Sequence, residues 1–148
     1  ASGSGDSTVK VWDVGSGECV KTLSGHGRWG VSSVCFSPDG SLIASGSHDK
    51  TVKVWRVGSG ECVKTLSGHG NLVVSVCFSP DGSLIASGSE DNTVKLWRVG
   101  SGECVKTLSG EGGNVESISF SADGTLLQCR SSDKTVKLWD VRSETEQL

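Results

Sequence analysis

The sequence predicts an all-β fold built from repeated units of four short antiparallel strands, and three observations carry that expectation. Residues 41–55, SLIASGSHDKTVKVW, return almost unchanged at 83–97 and more loosely at 125–139, and a truncated copy opens the chain. Tryptophans that end one strand of each copy stand at Trp12, Trp55, Trp97 and Trp139, which are 43, 42 and 42 residues apart. Short apolar runs with a period of two recur, separated by turn residues about every 8 to 12 positions. Nowhere do apolar residues keep the i, i+3, i+4, i+7 spacing of a helix, and the glycine spacing would interrupt one.

Taken in order, residues 1–6 (ASGSGD) align with 44–49, so the chain enters in the middle of a strand. TVKVWDV at 8–14 alternates β-branched residues with lysine, the pattern of a strand with two different faces. GSG at 15–17 breaks it, ECVKTL at 18–23 forms the next strand, and SGHG ends at Gly27 in turn residues. VSSVCFS at 31–37 is mostly apolar and is expected to be buried on both faces. SPDG at 37–40 is a turn, because proline fixes one φ angle and aspartate and glycine accept the others. SLIASGS follows, HDK joins it to TVKVWRV, and the unit repeats without change of length through 73–108. After Val141 the repeat gives way to polar residues, and 142–148 is expected to be a frayed tail.

Composition narrows the function classes. The chain has 148 residues, 14 Lys and Arg against 17 Asp and Glu, and a net charge of -3 spread evenly over the units. No polybasic surface for nucleic acid or membrane is implied, and no apolar run approaches the roughly 20 residues of a membrane helix. No leader segment is visible, and the absence of methionine suggests a processed, truncated or engineered start. Five of the six cysteines recur with the repeat: Cys19, Cys62 and Cys104 are equivalent, as are Cys35 and Cys77, while Cys129 stands alone. Equivalent positions are not a disulfide framework, and no metal-ligand spacing occurs, so small buried thiols in a reducing, cytoplasmic setting are expected, with no metal or cofactor.

A period near 42, four strands per unit, a Gly-His pair before the first strand, and an aspartate shortly ahead of a strand ending in tryptophan resemble the WD-repeat β-propeller family. The resemblance covers residues 1–141. It implies blades whose strands run a to d outward from a central channel: residues 31–37 as a, 41–47 as b, 51–57 as c and 61–66 as d. The chain would then hold part of b, then c and d, two whole blades, and a closing a, b and c.

The resemblance also implies a hydrogen-bonded tetrad in each blade. His26, Ser45, Asp49 and Trp55 form one set, and His69, Ser87, Asp91 and Trp97 a second. A Ser/His/Asp trio can serve a nucleophile. Its recurrence at a fixed offset marks a structural device, so no catalytic residue is expected. In the last unit Glu111 and Cys129 replace histidine and serine, leaving Asp133 and Trp139, and that blade is expected to be the least rigid or altered for an end role.

Few residues remain free to be specific. By resemblance the d–a and b–c loops open on one face that docks partners. The matching positions are Arg28, Trp29, Gly30 and Ser32, then Asn71, Leu72 and Val74, then Gly113, Asn114 and Glu116, with His48, Glu90 and Ser132 beside them. Trp29 has no counterpart in the other units and lies in the one loop with an extra residue. A tryptophan beside an arginine is the composition of an interface hot spot, and Leu72 and Val74 would extend an apolar patch.

These features point to a non-catalytic scaffold for a protein or peptide. The alternative is an engineered or truncated propeller whose main property is self-assembly, since GSGECVKTLSGHG and CFSPDGSLIASGS each occur twice unchanged. An enzyme or sugar-binding propeller is a remoter third reading. Open strand edges favour closure by self-association, with the last blade accepting residues 18–23 of another copy as strand d in a homodimer or homotrimer. Residues 7–14 are left over in that count.

Overall fold

The computed structural model of the chain describes residues 1–109, 113–141 and 146–147. Its strands form four antiparallel sheets, and no helix occurs among the described residues. The first sheet has three strands in the order β1 (Ser2–Gly3), β2 (Thr8–Trp12), β3 (Cys19–Ser24). The second holds β4 (Val31–Phe36), β5 (Leu42–Ser47), β6 (Val52–Arg56) and β7 (Cys62–Leu66) in chain order. The third repeats it with β8 (Val73–Phe78), β9 (Leu84–Ser89), β10 (Thr93–Arg98) and β11 (Cys104–Ser109). The fourth has β12 (Val115–Phe120), β13 (Leu126–Ser131), β14 (Val136–Asp140) and β15 (Glu146–Gln147).

Local chemistry fixes these boundaries. Where the SPDG turn joins β4 to β5, the Asp39 carboxylate accepts from the Ser37 hydroxyl at 2.7 Å and the Ser41 N–H at 2.9 Å, and the turns at Asp81 and Asp123 do the same. Where β6 runs on into Trp55, pairing with β7 slips by one residue, and the same bulge recurs at Trp12 and Trp97. A second bulge, between Val31 and Ser33, Val73 and Ser75, and Val115 and Ser117, twists the start of each inner strand.

No sheet has a core of its own. Val9, Val11 and Leu23 of the first sheet pack with Val31, Ile43 and Trp55 of the second. Val52, Val54 and Leu66 pack with Val73, Val76, Phe78 and Trp97, and Val94, Leu96 and Leu108 with Val115, Ile118 and Trp139. Each face of a middle sheet is buried only against the neighbouring sheet, so the junction is the unit of stability. Trp55, Trp97 and Trp139 are 2 %, 2 % and 3 % exposed, each against the preceding sheet, whereas Trp12 is 43 % exposed.

Several expectations are corrected here. β2 is the middle strand of the first sheet, so residues 7–14 are not left over. β3 pairs with β2 in its own chain, from Thr8↔Ser24 to Trp12↔Cys19. Within the segment expected to fray, Glu146 and Gln147 pair with Trp139 and Leu138. The described residues therefore form four sheets, the last completed to four strands by β15. Inner strand β4 is not covered on both faces, for Phe36 is exposed. Nor are all thiols buried: Cys19 and Cys104 are exposed, and only Cys129 is fully enclosed.

Candidate functional site

Two copies of one polar network lie behind the loops that enter β4 and β8. His26 Nδ1 meets Asp49 Oδ2 at 3.0 Å, His26 Nε2 meets the Ser45 hydroxyl at 2.6 Å, and the Trp55 indole N–H donates to Ser45 Oγ at 2.8 Å. The second copy, on His69, Asp91, Ser87 and Trp97, has distances of 2.9, 2.7 and 2.8 Å. One direction of donation satisfies every member: indole N–H to serine oxygen, serine O–H to Nε2, and Nδ1–H to carboxylate. Burial pushes the imidazoles of both His26 and His69 below the ordinary value of 6.5, against the pull of their aspartates, which keeps them neutral as this chain of donors requires.

Each aspartate has further duties. Burial of Asp49 favours its neutral form, but hydrogen bonds from the Thr51 hydroxyl, the Gly27 N–H and His26 outweigh it and hold the carboxyl at about 2. Asp91 is held at about 2 in the same way by Thr93, His69 and the Gly70 N–H. The threonines were not singled out from the sequence, although Asp-x-Thr at 49–51, 91–93 and 133–135 was there to be read. Among the described residues no buried side-chain nitrogen or oxygen lacks a partner.

The Ser-His-Asp order is that of a nucleophile relay, but Ser45 and Ser87 are 0 % exposed and each already accepts an indole N–H. A substrate carbonyl has no path to either oxygen. What the network does is anchor the loop ahead of each inner strand onto the two strands behind it.

The ends of the blades differ. In the first sheet the Trp12 indole donates to Ser2 Oγ at 2.9 Å and Asp6 accepts from Thr8, so the serine, aspartate and tryptophan places are filled. In the fourth, Cys129 occupies the serine place and Asp133 still accepts from Thr135. Glu111 lies outside the described residues.

The loop face gathers most of the positions that differ between units. The His48 N–H donates to the Gly30 carbonyl at 3.1 Å, Glu90 to Leu72 at 3.1 Å and Ser132 to Asn114 at 2.8 Å, so each b–c loop lies beside its d–a loop. Ser32, Val74 and Glu116 are the bulge residues of the three inner strands, places where the strand re-aims a side chain. Arg28, Trp29, His48, Asn71, Asn114 and Glu116 are exposed, while Leu72, Val74, Glu90 and Gly113 are half-buried. Leu72 and Val74 therefore do not form an open apolar patch.

Two positions expected to contact a partner are also engaged within the fold. Gly30 is buried at φ 94, donates to Ser7 Oγ at 3.1 Å, and faces Gly5 so closely that a Cβ would stand 3.0 Å from its Cα. The Ser32 hydroxyl donates to the Gly46 and Val73 carbonyls, tying the second sheet to the third. Trp29 stands apart: it is 73 % exposed on a left-handed backbone at φ 91, a conformation that disfavours a bulky side chain.

The profile of the WD domain, G-beta repeat family matches residues 1–13, 17–56, 60–98 and 102–140. The chain is 52 % identical over 40 residues to nuclear distribution protein PAC1 of Mycosarcoma maydis, covering 27 % of this chain and 9 % of that protein. It is 51 % identical over 43 residues to nuclear distribution protein PAC1 of Coccidioides posadasii (29 % and 9 %). Against myosin heavy chain kinase C of Dictyostelium discoideum it is 67 % identical over 33 residues (22 % and 4 %). The matches thus span less than a tenth of each relative's length.

Proposed function

The chain belongs to the WD domain, G-beta repeat family, and from that premise we propose that it is a non-catalytic scaffold that binds a protein or peptide segment on the loop face around Trp29. The family is in general an interaction scaffold, and the likeness to nuclear distribution proteins supports that class of role. The observation that carries the reading is Trp29 itself. A backbone strain on the order of 1–3 kcal/mol is retained there to hold an aromatic side chain in solvent, beside the exposed Arg28, while Gly30 and Ser7 pin the loop below it. His48, Asn71, Asn114 and Glu116 supply polar contacts around that anchor.

The test uses peptides selected from a random displayed library on the immobilised chain. Trp29→Ala and Arg28→Ala are each expected to weaken the selected peptides at least tenfold with an unchanged melting temperature. Val14→Ser, at an exposed site away from this loop, is expected to leave them unaltered. Peptides that bind Trp29→Ala as tightly as the wild type would sink the proposal.

A ring closed by self-association would have to bring the exposed Trp12 of one copy onto Val136 and Leu138 of another, the contact that Trp55, Trp97 and Trp139 make within the chain. The near-identity of the units supports recent amplification or design from a consensus.

A further inference from the structure

Three junctions within the chain repeat one contact. On the receiving sheet one strand (β1, β5 or β9) carries a glycine, and the first valine of the next inner strand lies directly on it. A Cβ on Gly3 would stand 2.6 Å from Val31 Cγ1, on Gly46 2.7 Å from Val73 Cγ1, and on Gly88 2.5 Å from Val115 Cγ1. Not even an alanine fits unless the valine or its strand shifts. Ala44 and Ala86, two residues earlier on the same face, are fully buried by the incoming blade. Serines complete the seat: the Val76 N–H donates to Ser33 Oγ at 3.2 Å and the Ile118 N–H to Ser75 Oγ at 3.3 Å.

The fourth sheet keeps the register and changes the residues. Arg130 pairs with Ser117 and Val136 as Gly46 pairs with Ser33 and Val52, and as Gly88 pairs with Ser75 and Val94. Gln128 stands opposite Leu138 as Ala44 stands opposite Val54. Both are exposed, and with Glu116, Ser131 and Lys134 the arginine lines an open cavity of about 330 Å³. Val136 and Leu138, whose counterparts lie under the next blade's tryptophan, are 50 % and 36 % exposed.

We infer that Arg130 and Gln128 make this face terminal: a further blade of this repeat, from a second copy or from an added unit, does not seat on β13 as β4, β8 and β12 seat on the sheets before them. An incoming valine meets a guanidinium stem where the other junctions offer an empty glycine. Seating would also bury a cation and an amide in a junction that is apolar at the other sheets. A polar outer face on a terminal repeat keeps a stack from growing.

Light scattering on the full chain over a hundredfold range of concentration tests this. The wild type is expected to hold the mass of one chain, or a mass that Leu138→Lys leaves unchanged. Gln128→Ala with Arg130→Gly, which restores the residues of the other sheets, is expected to at least double the apparent mass as concentration rises, and Leu138→Lys on that background to reverse the gain. The inference is overturned if the wild type already assembles and Leu138→Lys dissociates it, or if the folded double variant keeps the wild-type mass. The reverse exchange, Gly88→Arg, guards against a variant that misfolds: amide protection over Val115–Phe120 is expected to fall at least tenfold, and wild-type protection there would equally overturn the inference. These readouts move independently of peptide binding at Trp29.

Discussion

The second and third sheets hold their entry loops with four side chains each, whereas the fourth, built on nearly the same sequence, keeps the aspartate and the tryptophan and puts Cys129 where serine stands. Among the described residues its loop is tied through Ser132, whose hydroxyl accepts the Asn114 N–H at 3.1 Å and whose own N–H donates to the Asn114 carbonyl, as His48 and Glu90 donate in the sheets before it. The difference separates two jobs that coincide in the middle of the chain. Trp139 is as buried as Trp55 and Trp97, so its burial comes from packing on Val94 and Leu96 and does not need the histidine-serine network. The network fixes the loop, and the junction fixes the blade.

The largest effect that would break this separation is loss of a junction. Trp97→Ala is expected to cost about 3–5 kcal/mol in urea unfolding, while Trp12→Ala, at a half-open site, is expected to cost no more than about 1 kcal/mol. Equal costs would mean that the indole's hydrogen bond, present at both, outweighs its burial. Next comes the network. Ser87→Ala strands the His69 Nε2 and the Trp97 N–H in a buried site and is expected to cost about 2–4 kcal/mol, whereas Cys129→Ser in the fourth sheet is expected to change stability by less than about 1 kcal/mol. Differential scanning calorimetry of both variants reads the contrast directly.

Acid should act on the middle blades in two steps. His26 and His69 have folded values below 6.5, so the unfolded chain takes up their protons first and stability falls as pH drops below 6.5. Asp49 and Asp91, held at about 2 against an ordinary 3.8, contribute stability above that value which is lost as pH falls from 3.8 toward 2. Urea midpoints measured between pH 7 and 3 should show both losses in the wild type. The upper one should vanish in a His26→Gln/His69→Gln double variant. The smallest effect lies on the loop face: Trp29→Gly relieves the left-handed backbone and is expected to leave the protein as stable or up to about 1 kcal/mol more so, while abolishing peptide binding. A destabilised Trp29→Gly would mean that the indole packs on its own blade.

Much of this was legible because the repeat reports each position more than once. Strand 41–47 and the observed β5 (Leu42–Ser47) differ by one residue, and the tetrad residues could be aligned by offset alone. What escaped the sequence concerns contacts between units. Gly30 and Ser32 read as variable loop residues, but a buried turn against Gly5 and a hydroxyl shared by two carbonyls depend on the neighbouring sheet, which no local pattern encodes. The pairing of Glu146 and Gln147 with β14 escaped for a similar reason: two polar residues show no strand period, and backbone bonds to an edge do not require one. Arg130 was visible as a departure from glycine. Its meaning appeared only once the valine above Gly46 and Gly88 was seen.

The sharing of cores between sheets sets a timetable for synthesis. The last fully buried member of each cluster along the chain is its tryptophan, Trp55, then Trp97, then Trp139. As the polypeptide leaves the ribosome, no blade can be sealed by its own residues, and each must wait for the indole some 42 positions downstream. An arrested nascent chain cut before Trp97 should therefore expose Val52 and Val54 to chaperones and proteases, and one extended past it should conceal them, so that protection arrives in steps spaced by the repeat.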